Sequence, residues 1–433
     1  MKWTGPFRLS DDERDIAWIE DGARVTVSNG WVFTDRIELR GLDGGKVERN
    51  FYKSGFRQDY ESEGRLFLAN AIARMIRSGM FASQRVARFL AQGGPDAVLA
   101  EVDRLQTDSN YVKRTYYSAL LKQATLDNAQ LARMLQRVSD GMTSDYDRST
   151  LLVQIIHEGK LTEEQQIAVA RVVGRIGSDY EQRKVLSALL TTTPLSAPVA
   201  MAVVEAAEAI GSAYDRGTVL LDLAGKGAVT AETSARFMAA VSSMGSAYEQ
   251  RKVLAALATA QPLPEPVMLD GVKAAAGIGS AYDKRQALSA YVARSGSSPK
   301  IAAAALASAT TIGSAHDKAE VLLDLVQKGG FTEATAPAFF SAAATIGSSY
   351  DLSRVLRAVA VMPRLSEPVL VGLIRAAGSV SGGYERASLL LEILKNQTLP
   401  QSARALFLDV AQTISSQHDQ NRVLAELVRS ERR

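Results

Sequence analysis

Apolar positions along this chain follow two rhythms, and the change between them falls near residue 60. Before it, apolar and polar residues alternate in three short runs, Ala23–Ser28, Arg36–Gly41 and Lys46–Tyr52, with Gly30 and the glycine-rich stretch Gly41–Gly45 between them. Period-two alternation with glycine turns predicts an antiparallel meander with one face buried. The amphipathic stretch Glu63–Gly79 predicts the helix that covers this face, offering Leu66, Ile72, Met75 and Ile76. Further helix is expected from Ser83 to about Leu105.

Beyond these segments the apolar residues recur at helical spacing, and the whole pattern returns after one step of 35 residues and then eight steps of 34. One aromatic column marks the return: Tyr111, Tyr146, Tyr180, Tyr214, Tyr248, Tyr282, His316, Tyr350, Tyr384 and His418. A period this strict predicts a stack of similar units, because each exposes an apolar face that only the next copy covers. The expected fold is mostly α: an αα-hairpin solenoid of about nine to ten 34-residue repeats behind a small antiparallel β-rich cap. The expected divisions are residues 1–60 for the meander, 61–110 for capping and linking helices, and 111–433 for the solenoid.

The copy beginning at Gly211 shows how one repeat is built. Ser212 with Asp215 three residues later predicts a capping box that starts helix A. The same pair recurs as Ser144 with Asp147, Ser178 with Glu181, Ser246 with Glu249, Ser280 with Asp283, Ser314 with Asp317, Ser348 with Asp351, and Ser416 with Asp419. Val219, Leu220 and Leu223 form the apolar stripe, and Gly225 and Gly227 end the helix. Helix B is expected from near Thr230 to Gly245, with Gly245 as a left-handed terminator. Pro198, Pro266 and Pro368 stand at the start of helix B in other copies, where a missing N–H is tolerated. Helix B is small and nearly all apolar, as in Ile301–Gly313 and Ala336–Gly347, which suits a tight inner, concave wall, with the more polar helix A outside.

Composition adds few constraints. The chain has 433 residues, 46% hydrophobic and 22% charged, enough for an ample core. A formal charge of +3 provides no strong field for nucleic acid or acidic membranes, and no apolar run is long enough to insert into a membrane. The absence of cysteine excludes disulfides, thiolate catalysis and cysteine-based zinc sites while leaving the compartment open. The three histidines, His157, His316 and His418, are too dispersed for a shared metal or catalytic site, and no nucleophile or phosphate-loop motif occurs. The Gly225–Gly227 stretch ends a helix and reads as a turn. No catalytic, cofactor or metal-ligating residue is therefore assigned.

Two repeated columns could still carry function. The aromatic column could form a ladder for peptides or bases, but its place at the second residue of helix A predicts rings filling the gaps between units, each hydroxyl on a backbone partner. Asp or Glu follows the aromatic in nine copies, and a basic residue comes soon after: Arg148, Arg183, Arg216, Arg251, Lys284, Lys318, Arg354, Arg386 and Arg422. Read alone, the basic column is a nucleic-acid track. The acidic column cancels it, which favours capping and inter-repeat ion pairs.

The 34-residue hairpin is similar to tetratricopeptide and HEAT-like repeats in period and topology alone. The stretches Ser144–Leu152, Gly177–Leu190 and Gly93–Leu105, with the strand-rich Arg36–Ile72, resemble the non-catalytic C-terminal regions of bacterial M56-type (BlaR-like) membrane metallopeptidases and related stand-alone bacterial repeat proteins. That resemblance implies a sensor or interaction region, extracytoplasmic in placement, without peptidase activity. The leading expectation is a non-enzymatic scaffold that binds a protein or peptide on the concave face. One alternative is a nucleic-acid-binding repeat protein. The other is an enzyme whose site lies in the β-rich cap, with Asp35, Glu38, Arg40, Glu48 and Arg49 as its charged candidates.

Overall fold

The period-two runs form strands because their apolar residues share one face of the pleat. In the computed structural model, which describes residues 1–30, 35–105, 107–158, 161–192, 195–260, 262–294 and 298–430, the cap holds seven strands. They are β1 (Lys2–Thr4), β2 (Phe7–Leu9), β3 (Ile16–Ile19), β4 (Arg24–Ser28), β5 (Arg36–Leu42), β6 (Lys46–Lys53) and β7 (Phe56–Gln58). Five make an antiparallel sheet in the order β1-β4-β5-β6-β7, and β2 pairs with β3 beside it. Val25, Val27, Ile37, Leu39 and Phe51 all point to one side, as alternation requires. The cover is α1 (Arg65–Arg77), whose buried stripe is Leu68, Ala71, Ile72 and Ile76. Leu66 is the exception to the expectation, since it stands 57% exposed. Two residues before Leu68 places it about 200° round the helix, off the stripe.

The chain divides into two compact units, Met1–Leu161 and Thr162–Arg433. In the first, α2 (Ala82–Arg104) bends at Gly93 and Gly94, ahead of Pro95. It lies against α3 (Asn110–Gln123), which is followed by α4 (Asn128–Gly141) and α5 (Asp145–Glu158). The sequence gives no hint of the polar centre that ties this unit together. Arg85 on α2 is buried, and its Nε lies 2.6 Å from Glu13 Oε1 in the β2–β3 turn. Its other nitrogens reach Glu101 Oε1 at 2.6 Å and the Tyr116 hydroxyl at 2.5 Å. Burial alone would push the guanidinium down, but Glu13, Tyr116 and Glu101 hold it above its ordinary value. Glu13 has φ of 57°, a strained conformation for a residue with a side chain, and Arg85 and Arg88 both hold its carboxylate.

The second unit is a run of helices in two rows. It begins with α6 (Glu163–Val173) and continues as hairpins: α7 (Asp179–Leu190) with α8 (Ala197–Glu208), α9 (Ala213–Gly225) with α10 (Ser234–Ser242), and α11 (Ala247–Ala260) with α12 (Glu265–Ala276). Then come α13 (Ala281–Arg294) with α14 (Pro299–Ala309), α15 (Ala315–Gln327) with α16 (Ala336–Ala343), α17 (Ser349–Ala360) with α18 (Glu367–Gly378), and α19 (Gly383–Asn396) with α20 (Gln401–Gln412). The last element is α21 (Gln417–Ser430). The odd-numbered A helices pack on one another in sequence, and so do the even-numbered B helices. This is the helical-repeat architecture with a β cap that the sequence predicts.

The serine caps are where the sequence places them, but the reciprocal half of the box is not formed at Ser212 or Ser314, whose partners Asp215 and Asp317 turn to Arg183 and Arg285 of the preceding repeat. All eight serines of the repeated pair accept the N–H of the acidic residue three positions on, at 3.2 to 3.4 Å. Ser109, which lacks the acidic partner, accepts from Val112 N–H in the same way. Gly245 is not left-handed. Among the described residues of the second unit the left-handed glycines are Gly227 and Gly329, just past α9 and α15, so glycine ends A helices in these copies and nothing in the structure requires it at 245. Helix α10 also starts later than expected, because Thr233 Oγ1 accepts the Thr230 N–H and closes a separate turn first.

Packing departures come in compensating pairs. Position 291, leucine, isoleucine or valine in the other A helices, is a tyrosine here, and the facing residue on α12 is Gly271. A Cβ on Gly271 would stand 2.2 Å from the Tyr291 hydroxyl, so the ring occupies space that any side chain would take. That hydroxyl is buried without a hydrogen-bond partner, and burial pushes the phenol above its ordinary range.

Two stability measurements follow. Tyr291→Phe removes an unsatisfied buried hydroxyl and should raise stability by about 1 kcal/mol in urea unfolding. Arg85→Ala leaves Glu101 without its cation and Glu13 with Arg88 alone, and should lower the stability of the first unit by about 3 kcal/mol. Equal midpoints for Arg85→Ala and wild type would contradict the second expectation.

Candidate functional surfaces

The aromatic column lies on the surface, which corrects the expectation that its rings fill gaps between units. Tyr111, Tyr146, Tyr180, Tyr214, Tyr248, Tyr282, Tyr350 and Tyr384 are each 53–65% exposed, and His316 stands out beside Asp351 at 3.8 Å. The reason is geometric. A side chain in the first turn of a helix leans toward the N-terminus, and at the second helical position no earlier turn lies beneath it. The rings therefore extend past the helix ends and meet cations. Arg183 lies 5.1 Å from the Tyr180 ring centroid, Arg251 4.9 Å from Tyr248 and Arg285 5.3 Å from Tyr282. Lys252 Nζ is shared, 5.8 Å from Tyr214 and 5.4 Å from Tyr248.

The basic residues resolve into two rows with different work. The outer row pairs with the acidic residue of the next repeat: Arg114 with Asp147 at 2.6 Å, Arg183 with Asp215 at 2.6 Å, Arg251 with Asp283 at 2.8 Å and Arg285 with Asp317 at 3.1 Å. Lys184 and Lys252 bond Glu181 and Glu249 within their own helices, and Arg354 reaches both Glu320 and Asp351.

The inner row, two residues after the aromatic, donates to the carbonyl ends of B helices. Arg216 reaches Glu208 O and Ile210 O, each at 2.9 Å, and Arg386 reaches Val380 O at 2.8 Å and Thr413 O at 2.9 Å. Gln182 and Gln250 serve the same end with an amide, to Ile176 O and Met244 O. Arg148 does so in the first unit, onto Met142 O. Lys318 reaches Thr345 O at 2.9 Å, and Lys284 the Thr311 hydroxyl at 3.1 Å. Burial pushes the ammonium groups of Lys284 and Lys318 below their ordinary pKa. These donors satisfy the orphan carbonyls that every helix terminus leaves.

One copy breaks the inner row. At position 352 the donor is replaced by leucine, buried, and an apolar cleft of about 440 Å³ opens between α16 and α18. Pro337 and Phe340 of α16 form one wall, Val369 and Val371 of α18 the other, and Leu352 the floor. Gly372 sets the width, since a Cβ there would stand 2.7 Å from the Phe340 ring. Glu333 and Arg375 sit at the rim. The mix of apolar walls and a few polar rim groups is that of a recognition pocket. The sequence signal was available: leucine at 352 is an apolar residue in a column otherwise made of donors.

The charged candidates of the cap are spread over strand surfaces. Glu38 pairs with Arg36 at 2.9 Å, Arg40 stands opposite Glu48 across the β5–β6 ladder, and Arg49 pairs with Asp15 at 3.2 Å. Asp35 accepts the Ser54 N–H at 3.1 Å. None of the five lines the hollow walled by Arg8, Trp18, Gln84, Arg88 and their neighbours.

The buried lysines supply a pH test. A lysine pKa below the free value of 10.5 means the folded state holds fewer protons than the unfolded state in the window just below 10.5. The charged form therefore opposes folding at neutral pH, and this opposition fades as pH rises through the window. Lys284→Met should stabilise the second unit relative to wild type at neutral pH, and the advantage should shrink toward pH 10.5. An advantage independent of pH would contradict it. Among the described residues no helix is long and apolar enough to cross a membrane. Comparison with protein-family models gives no match, and comparison with curated protein sequences gives none either.

Proposed function

We propose that this chain is a non-enzymatic interaction scaffold whose B-helix row binds a protein or peptide through an apolar anchor. The observation that carries the reading is the cleft between α16 and α18, an apolar hollow in the row of B helices. Apolar walls favour burial of a leucine-sized or aromatic side chain, worth about 1.5–3 kcal/mol. The rim charges Glu333 and Arg375 are of opposite sign and suit the two dipolar ends of a peptide segment. This is the chemistry of helix-in-groove or extended-peptide recognition. Charge argues against nucleic acid as the ligand. Most of the basic column is turned inward to carbonyls or paired with carboxylates, which leaves little to release counterions from phosphates. A sensor or docking role also agrees with the resemblance to the non-catalytic regions of the membrane metallopeptidases.

The test is selection from a displayed random-peptide library, followed by titration of a selected peptide. Winners should share one apolar or aromatic anchor, and their affinity should change little with salt. Val371→Arg, which puts a charge in the cleft wall, should weaken binding about tenfold or more, while Tyr180→Ala leaves it unchanged. Selected peptides that bind Val371→Arg as well as wild type would sink the proposal.

A further inference from the structure

The exposed tyrosine row is not explained by the cleft, nor by packing. Its rings touch cations and solvent, so their repetition at one place in successive copies asks for a ligand with its own period. We infer that the stretch carrying Tyr180, Tyr214, Tyr248 and Tyr282 docks a proline-rich segment in the polyproline II conformation, one tyrosine to each turn of the ligand.

Three observations lead there. The first is spacing. These tyrosines sit at the same position of α7, α9, α11 and α13, each packed on the next, so neighbouring rings are about 8–10 Å apart. A shared cation agrees, since Lys252 Nζ lies within 5.8 Å of both the Tyr214 and Tyr248 centroids. A polyproline II chain repeats every three residues at about 3.1 Å each, or roughly 9 Å. An extended strand presents a residue on one face about every 7 Å, and a helix turns every 5.4 Å or so. Only the first keeps step with the row.

The second is charge. The cations over the rings already have acidic partners: Arg183 has Asp215, Arg251 has Asp283, Arg285 has Asp317 and Lys252 has Glu249. The row is thus an aromatic surface with its charge compensated, complementary to a neutral ligand and not to a phosphate backbone. The third is chemistry. Proline rings lie flat against aromatic faces, and a polyproline II chain leaves all its carbonyls without internal partners. Exposed tyrosine hydroxyls are donors that can meet them.

The experiment is an anisotropy titration of the full chain with fluorescently labelled (Pro-Pro-Ala)6. A (Gly-Ser-Ala)6 peptide, an oligouridylate and a chito-oligosaccharide serve as comparators. The proline peptide should bind, and the comparators should not. Tyr214→Ala should weaken it about threefold or more and Tyr214→Ala with Tyr248→Ala about tenfold or more, as expected when ring stacking carries the contact. Both variants should keep the wild-type melting temperature, because neither ring is buried, and Tyr214→Phe should keep most of the affinity. Val371→Arg should leave this binding unchanged; if it abolishes binding, the peptide occupies the cleft and the inference fails while the scaffold reading stands. No binding, binding indifferent to the tyrosine changes, or preference for the oligonucleotide or the sugar would each overturn it.

Discussion

Everything in the second unit depends on one shortage: a hairpin of two short helices has more apolar surface than it can cover. Val219, Leu220 and Leu223 of α9 are fully buried, yet helices of this length are marginal alone. Their cover comes from α7 and α11 on either side, and the same holds for each interior copy. Burial of a Val or Leu side chain is worth about 1.5 to 3 kcal/mol, so the interfaces between copies outweigh anything a single copy can provide. The strict period is the sequence-level trace of that dependence. A unit out of step would present donors to apolar rows and leave helix ends without caps.

Polar residues in the repeat serve this stacking first. Serine at the cap fixes where each A helix begins, the inner row of Arg, Lys and Gln closes the carbonyl ends of B helices, and the outer Arg row reaches the acidic residue of the following copy. What remains on the surface is what stacking does not use. The tyrosines remain because the helix N-terminus carries them beyond the interface. The cleft remains because one copy, at Leu352, gives up its donor. Both candidate surfaces are thus defined by subtraction from a structural pattern that is known residue by residue.

The sequence was legible wherever a residue's role depends on its own helix or strand. Serine caps, the proline position, the strand faces of Val25 to Phe51 and the existence of two rows of helices all follow from local periodicity. It was silent or misleading where direction or a distant partner decides. Leu66 and Leu68 are both leucines, and only the sheet beneath α1 selects the second. Tyr214 and Tyr291 are both tyrosines of A helices, yet one stands in solvent and the other lies under a glycine, Gly271, twenty residues earlier in sequence. Gly245 carries a terminator's residue type without the conformation. Arg85 gathers Glu13 from the β2–β3 turn, Glu101 from the far end of α2 and Tyr116 from α3, which no local pattern encodes.

The central claim is that the 34-residue step is the unit of structure, and it can be tested by excision. Removing Ser246–Gly279, one whole step, rejoins cap to cap and interface to interface, so the shortened chain should unfold cooperatively with wild-type helix content per residue by circular dichroism. Removing half a step from the same place should destroy that cooperativity. If the half-step deletion is tolerated as well as the full one, or if the full-step deletion collapses the second unit, the account is wrong.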